Sequence, residues 1–522
     1  MSVDNLEHHE TLIDAMMDPH RWPRGGTDRR RIDTHISSVI LAGEHAYKIK
    51  KPVELGFLDF LSLESRRLAC KEELRLNRRL APDIYQAVVP ITGTPESPDV
   101  SGKGDPIDWA VQMRRFDPDA LLSNPEQPLN TDLILALAER VATFHQQAAV
   151  SDGKFGTPDQ AFAAMQGNFD SLRAQGKSNS ALEILEGWSS RQFHRLQPLM
   201  QERLMHGRVR ECHGDLHLGN IALVDTQPLV FDAIEFNPSF RWIDTISDIA
   251  FLTMDLRHRG RSELAFMFLD RYLQEYGDYP GLALLRLYEI YRALVRAKVA
   301  AIRQSQPELT PGQRKQLQEE LDSYIQLAGE IAQEKQPGII ITHGVSGSGK
   351  SWATRNLPGQ LPAIRIRSDV ERKRLLNLDP QASASDIGGY SPQMTERTYQ
   401  RLLQLTKLIS QAGYVAVVDA TFLKRSHREP FEKLAQRQGI PYVIVDCDAP
   451  AEQLRARIES RKQSKENVSD ADIEVMLMQQ RSREPLTKTE RSKSLALPLS
   501  GGLSTEQLKQ RLQIALQSTD EN

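Results

Sequence analysis

The stretch that most restricts how this 522-residue chain can fold is G-V-S-G-S-G-K-S, Gly344–Ser351, set between the apolar run Ile339–Ile341 and the helix-compatible W-A-T-R-N-L. A strand must pass through a glycine-rich turn directly into a helix. Gly344, Gly347 and Gly349 permit that turn because a residue without a Cβ tolerates positive φ. In this context successive N–H groups, that of Ser348 among them, can surround phosphates, while Lys350 reaches the β and γ phosphates and Ser351 offers its hydroxyl to Mg²⁺. The plainer alternative is a glycine-rich turn that holds no nucleotide.

A second block, H-G-D-L-H-L-G-N at His213–Asn220, carries different chemistry of the same kind. Asp215 stands on a short loop where it can accept or orient a hydroxyl proton, Asn220 is a magnesium ligand candidate, and the following strands I-A-L-V and P-L-V-F-D deliver Asp232 as a second. Upstream, S-S-V-I-L-A, a G-E-H turn and A-Y-K-I-K read as a hairpin. Strand alternation puts Lys48 and Lys50 on one face, and either can address the α and β phosphates. The leucine-spaced run from Ser62 reads as a helix, in which Glu73 is the first-choice partner of Lys50 and Glu72 the second. His213 and His217 lie four apart, yet without an H-E-x-x-H helix or a third ligand, so they read as hydrogen-bonding supports of the loop rather than as zinc ligands.

Two such sets need room, and 522 residues imply two or three domains. The main boundary is expected near 307–336. This gives a domain over 1–306, with a small lobe at about 33–115 and a helical lobe at about 116–306, then a helical linker over 307–335 and a second domain over 336–522. Within the first, the opening fifty residues read as a charged, Pro-containing approach to a strand, Thr92–Pro106 as a surface loop, Trp109–Phe116 as a strand, Thr131–Gln147 as a helix and Trp242–Gln306 as mostly helical. A hydrophobic fraction of 40% supports globular folding, and a formal charge of −3 gives no general pull toward nucleic acid or membranes. With no signal-like start, no apolar stretch of about 20 residues and three dispersed cysteines (Cys70, Cys212, Cys447) that form neither a disulfide framework nor a thiolate metal site, the expectation is a soluble, cytoplasmic protein.

Around the glycine loop, I-R-S-D-V-E-R-K-R-L sets Asp369 at the carboxyl end of a strand, suited to a substrate hydroxyl. Arg372 and Arg374 are candidates for an anionic substrate or the transferred phosphate, or else charges of a solvated helix end. Y-V-A-V-V-D-A-T-F ends in Asp419, which can organise the water shell around Mg²⁺ near Ser351, and in Thr421, a substrate contact or a helix cap. Arg425 and Arg428 follow as further phosphate contacts. Arg457 and Arg461 share a helix face and can close over the polyphosphate as a lid, or form a solvated basic edge.

With G-V-S-G-S-G-K-S, I-R-S-D-V-E-R-K, V-V-D-A-T-F and R-I-E-S-R in hand, residues 336–500 resemble the P-loop small-molecule and polynucleotide kinases, the zeta-toxin-like group included. That resemblance implies an α/β domain with a parallel sheet flanked by helices, a γ-phosphate donor and Asp369 as the acceptor-activating residue. Residues 33–300, through A-Y-K-I-K, E-E-L-R-L-N-R-R-L, H-G-D-L-H-L-G-N and V-F-D-A-I-E-F, resemble the aminoglycoside phosphotransferase and choline kinase branch of the protein-kinase-like fold. The resemblance implies an α+β bilobal domain with ATP in the cleft and Met113 near the adenine-binding connection. V-F-D-A-I-E-F departs from the branch's usual I-D-F-E or D-F-G form, which leaves Glu235 as a catalytic support or a local ion-pair partner. Asp244 and Asp248, four apart, are candidates to brace the catalytic loop.

The whole is similar to bacterial proteins described as bifunctional aminoglycoside phosphotransferase-like and ATP-binding proteins. The expected activity is γ-phosphate transfer from Mg-ATP to hydroxyl groups of small molecules, with one site per domain. Two alternatives stand beside it: one domain is a nucleotide-binding regulator of the other, or the second domain is a nucleic-acid 5′-hydroxyl kinase contacting the backbone through its arginines.

Overall fold

The computed structural model describes residues 3–22, 28–55, 58–306, 309–378, 382, 389–461, 473–498, 506, 510 and 512–514. Its contacts divide the chain into two compact units, Met1–Ser178 with Ser190–Asp255, and Asn179–Ser189 with Leu256–Asn522.

The first unit is built on an antiparallel six-stranded sheet in the order Arg29–Asp33, Ser37–Ala42, His45–Lys50, Asp108–Arg114, Tyr85–Thr94, Ser97–Val100. The hairpin that carries Lys48 and Lys50 closes with Ala42 opposite His45, and Gly43 adopts φ +58° in the two-residue turn. Helix Leu63–Asn77 packs on strand Asp108–Arg114, its start fixed by Ser62 Oγ accepting the Ser65 N–H. The first unit departs from the sequence expectation at three places. The segment Thr92–Pro106 is not simply a loop, because Ile91 pairs with Val100 and both are buried, extending the sheet through a hairpin. The opening residues contain a helix, Val3–Met17, whose Leu12, Ile13 and Met16 bury against Ile40, Ile49 and Ile91. Helix Thr131–Gln147 begins and ends as read from the sequence, with Asn130 as its cap. Trp242–Asp244, inside the stretch read as mostly helical, is a short strand paired with Val209–Glu211.

The second unit holds a parallel sheet in the order Ala363–Arg367, Val415–Asp419, Gly338–His343, Tyr442–Asp448, Ser494–Pro498. Gly338–His343 and Val415–Asp419 are buried at every position, as expected of parallel strands covered on both faces. Helices Ser262–Tyr276, Leu282–Gln304 and Pro311–Gln333 belong to the same unit. The last, read from sequence as able to pack either way, lies along Leu282–Gln304, and its Tyr324 stacks on His258 with ring centres 3.8 Å apart. Among the described residues no helix is long and apolar enough to cross a membrane.

Candidate functional sites

In the first unit, strand His45–Lys50 lies between two neighbours, so both lysines leave an interior strand toward helix Leu63–Asn77. Lys48 Nζ is 2.8 Å and Lys50 Nζ 2.5 Å from the Glu73 carboxylate. Lys48 also pairs with Asp232, and Lys50 with Glu235. The expected Lys50–Glu73 pair is therefore present, but Lys48 shares it. Glu72 serves other cations, Arg75 at 2.6 Å and Arg241 at 2.7 Å. Lys50 and Glu73 are completely buried and Glu235 nearly so, a situation tolerable only when each charge has a partner. Burial opposes the charge on Glu73, yet the two ammonium groups hold its carboxyl below the ordinary range. Burial lifts the Glu235 carboxyl above that range, against the pull of Lys50.

The His213–Asn220 loop is held from several sides. Asp248 accepts the N–H groups of His213 at 3.1 Å and Gly214 at 2.8 Å, and meets His145 Nε2 at 3.0 Å. Cys212 completes a buried trio with His145 and Asp248 whose polar atoms lie within 4.8 Å, and its thiol donates to the Ile243 carbonyl. Asp244, read as a second brace, binds Arg203 at 2.7 Å instead. His213 Nε2 faces the Phe231 carbonyl at 2.9 Å, and His217 Nδ1 accepts the Gly219 N–H, so both imidazoles make hydrogen bonds to the loop and its flanking strand. Asn220 Nδ2 donates to Asp215 Oδ2 at 2.8 Å and to the Asp215 carbonyl, which turns its amide oxygen to other uses. Asp232 adopts φ +64°, unusual for a residue with a Cβ, while its N–H donates to the Tyr85 hydroxyl. Met113 lies opposite Ala46 and Tyr85, packed with Val111 and Cys70.

In the second unit the glycine loop opens onto a cavity of about 180 Å³ whose lining includes Lys350, Ser351, Asp369, Arg372, Asp419 and Thr421. Three separated stretches of sequence thus converge. The turn needs its glycines: a Cβ on Gly347, at φ +84°, would stand 2.9 Å from the Leu454 carbonyl. Lys350 Nζ donates to the Val345 carbonyl at 2.8 Å, and the Ser346 N–H to Gln479 Oε1 at 2.8 Å. Arg372 binds Asp369 at 2.8 Å and lies over the Tyr390 ring. Phe422, at φ +46°, donates its N–H to the Tyr399 hydroxyl, which also meets Thr421 Oγ1 at 3.2 Å.

Other arginines lie elsewhere. Arg374 pairs with Glu371 and donates to the Gln274 carbonyl; it does not line the cavity. Arg428 is buried against Glu490 at 2.6 Å, which removes it from the phosphate contacts expected of it. Arg425 starts helix Arg425–Gln438, where its N–H donates to Glu484. Arg457 approaches the Gly347 carbonyl at 3.4 Å. Arg461 closes its helix, but its side chain lies outside the described residues. The cavity also takes Arg367, Tyr399, Lys424, His427 and Gln479, none of which was singled out from sequence. Arg367, two residues before Asp369 at a strand end, carried the one local signal.

Two family models match the chain, one after the other. The model described as the Phosphotransferase enzyme family matches residues 61–288, and the one described as AAA domain matches residues 339–486. Uncharacterized protein Rv2004c of Mycobacterium tuberculosis (strain ATCC 25618 / H37Rv) is 30% identical over 467 residues, 86% of this chain and 89% of the relative. Choline kinase from Cryptosporidium parvum Iowa II is 12% identical with a TM-score of 0.37, over 62% of this chain and 96% of its own. Chaetomium thermophilum Kti12, solved with ADP-AlF3, is 14% identical with a TM-score of 0.28, over 34% and 98%. The chain is an ATP-dependent kinase in which a phosphotransferase domain of protein-kinase-like fold precedes a P-loop kinase-like domain. It belongs to the same family as the mycobacterial protein Rv2004c.

Proposed function

We propose that this kinase transfers the γ-phosphate of ATP at two separate sites, one in the domain over 1–306 and one in the domain over 336–522, joined by 307–335, with small hydroxylated molecules as acceptors. In the first site Asp215 orients and deprotonates the acceptor hydroxyl, Lys48 addresses the α and β phosphates, and Lys50 with Glu73 holds the strand and helix in register. Asn220 and Asp232 offer oxygen atoms, the donor type a hard divalent cation such as Mg²⁺ prefers. In the second site Lys350 and the N–H groups of the glycine loop hold the phosphates, Asp369 activates the acceptor, and Ser351 and Asp419 supply the oxygen donors. Mg²⁺ in either site would neutralise charge on the β and γ phosphate oxygens.

The observation that carries this reading is the convergence of Lys350, Ser351, Asp369 and Asp419 on one cavity, alongside an independent Lys48–Glu73–Asp232 cluster in the other unit.

The test uses the full chain with γ-labelled ATP and a metabolite mixture, scored by the mass gain of one phosphoryl group. Asp215→Ala and Lys350→Ala are each expected to remove a different product. Loss of every product in Lys350→Ala with none lost in Asp215→Ala would refute two independent sites.

A further inference from the structure

The strand Ala363–Arg367, which leads into Asp369, is an outer strand of the parallel sheet, with Val415–Asp419 on one side only. An outer strand carries backbone N–H groups that no other strand accepts. Here the acceptor is a side chain. Asp270, on helix Ser262–Tyr276, takes the Arg365 N–H at 2.7 Å. It is 3% exposed, so a carboxylate has been buried to cap one backbone group of this strand. Arg365 offers its guanidinium at 3.7 Å, and the Gln274 amide donates to Asp270 at 2.6 Å.

The same helix holds a second point. The Gln274 carbonyl accepts Arg374 Nη2 at 2.5 Å, and Gly277, at φ +77°, ends the helix where an added Cβ would meet Arg374 Nε at 2.9 Å. The corner between Arg365 and Arg374 is therefore gripped at both ends, and Asp369 lies between them. Arg367, on the same strand face as Arg365 by alternation, reaches toward Asp419 at 3.8 Å. Shifting this strand along the sheet edge would move Asp369 and Arg367 together, relative to Lys350 and Asp419. Helix Ser262–Tyr276 also falls inside the segment matched by the phosphotransferase model, residues 61–288, rather than in the P-loop match.

We propose that Asp270 is a positioning residue for the P-loop site: by capping the outer strand it sets the place of Asp369, so a helix that lies in the phosphotransferase match by sequence, but folds with the P-loop sheet, tunes transfer at the P-loop site. This rests on the reading of Asp369 as the acceptor-activating group.

The experiment measures kcat and the KM for ATP in the full chain for the product that Lys350→Ala abolishes. Asp270→Leu keeps the shape and removes the acceptor; it is expected to lower kcat about tenfold or more, since small displacements of reacting groups are costly in rate. The KM for ATP should stay within about twofold, because the glycine loop is untouched. Asp270→Asn retains one acceptor oxygen and should recover most of kcat, which a purely structural role for the charge would not allow. An unchanged kcat in folded Asp270→Leu, or equal parallel losses of kcat, ATP binding and thermal midpoint in both variants, would overturn the proposal. Should Asp270→Leu fail to fold, Gln274→Met, which removes only the amide donated to Asp270, carries the test, with about a threefold fall in kcat expected and no fall counting against the idea. Asp369→Asn separates the layers: full transfer in that variant refutes the underlying reading, whereas loss there with no effect at Asp270 and Gln274 refutes this inference alone.

Discussion

Replacing Lys50 by methionine would leave Glu73 and Glu235 inside the first unit with a single ammonium, Lys48, that is already shared with Asp232. Lys50 is 0% exposed, so no solvent is at hand to take its place. Breaking a buried ion pair by removing one partner costs about 3–5 kcal/mol. In a unit of this size each kcal/mol moves the thermal midpoint by about 2–4 °C, which gives a fall on the order of 10 °C. Lys48→Met should cost less, because Lys50 continues to neutralise Glu73, while lowering first-site turnover by about 10²–10³.

The pH dependence gives a sharper signature. A carboxyl whose folded pKa lies above its unfolded value destabilises the fold at pH above the folded pKa, and that penalty vanishes as the pH falls through it. Glu235 is already raised, and losing Lys50 raises it further. The stability gap between wild type and Lys50→Met should accordingly narrow on acidification from neutral pH, and Lys50→Met with Glu235→Gln should recover more than half of it. Circular dichroism melts across pH measure both quantities. A gap that widens on acidification, or a variant whose midpoint falls by under about 3 °C, would refute the reasoning.

Two other outcomes follow from the second unit. Gly347→Ala forces a Cβ to 2.9 Å from the Leu454 carbonyl at φ +84°, and should weaken ATP binding at the loop at least about tenfold in a titration of the Lys48→Met chain, whose first-site phosphate contact is removed. A fragment spanning 336–522 lacks Asp270, which caps the outer strand, and Arg286, whose guanidinium binds the carbonyls of Ala412 and Gly413 at 2.9 Å each. It should aggregate or melt well below a fragment spanning 259–522, as sedimentation and thermal melts would show; equal behaviour would argue that these helices are dispensable for the sheet.

What could be read in advance was local. The Gly344–Ser351 loop depends on a strand, three glycines and a helix contiguous in the chain, and the hairpin to Lys50 on a two-residue turn, so both were legible. Lys48 and Lys50 could be assigned to one face by alternation, but their division of labour could not: it is set by Asp232 and Glu235, more than 180 positions away. Tyr399 was invisible for the same reason, since its hydroxyl matters only because Phe422 adopts φ +46° beside it. The helix Val3–Met17 was obscured by its charged residues, its apolar face being short and recognisable only against the sheet it covers. Arg428 shows the opposite error: proximity in sequence to Asp419 suggested a phosphate contact, whereas burial with Glu490 makes it part of the core.

The two candidate sites share an electrostatic arrangement that bears on how nucleotide and metal would enter. Lys48 is paired with Asp232, and Arg367 lies 3.8 Å from Asp419, so in each site a cation stands against the carboxylate proposed to serve the metal. A divalent ion brought to Asp232 with Lys48 still in contact would stand against an ammonium that Asp232 and Glu73 already share, a repulsion poorly screened in a partly buried site. Bound phosphates would offer the lysine a competing anion, and Asp232 would then be free to serve as an oxygen donor to the ion. Each ligand therefore removes an obstacle to the other, and such mutual assistance is a coupling free energy that must act equally in both directions. We propose on this ground that ATP and a divalent ion would bind as one unit at each candidate site, although the folds that hold them are unrelated.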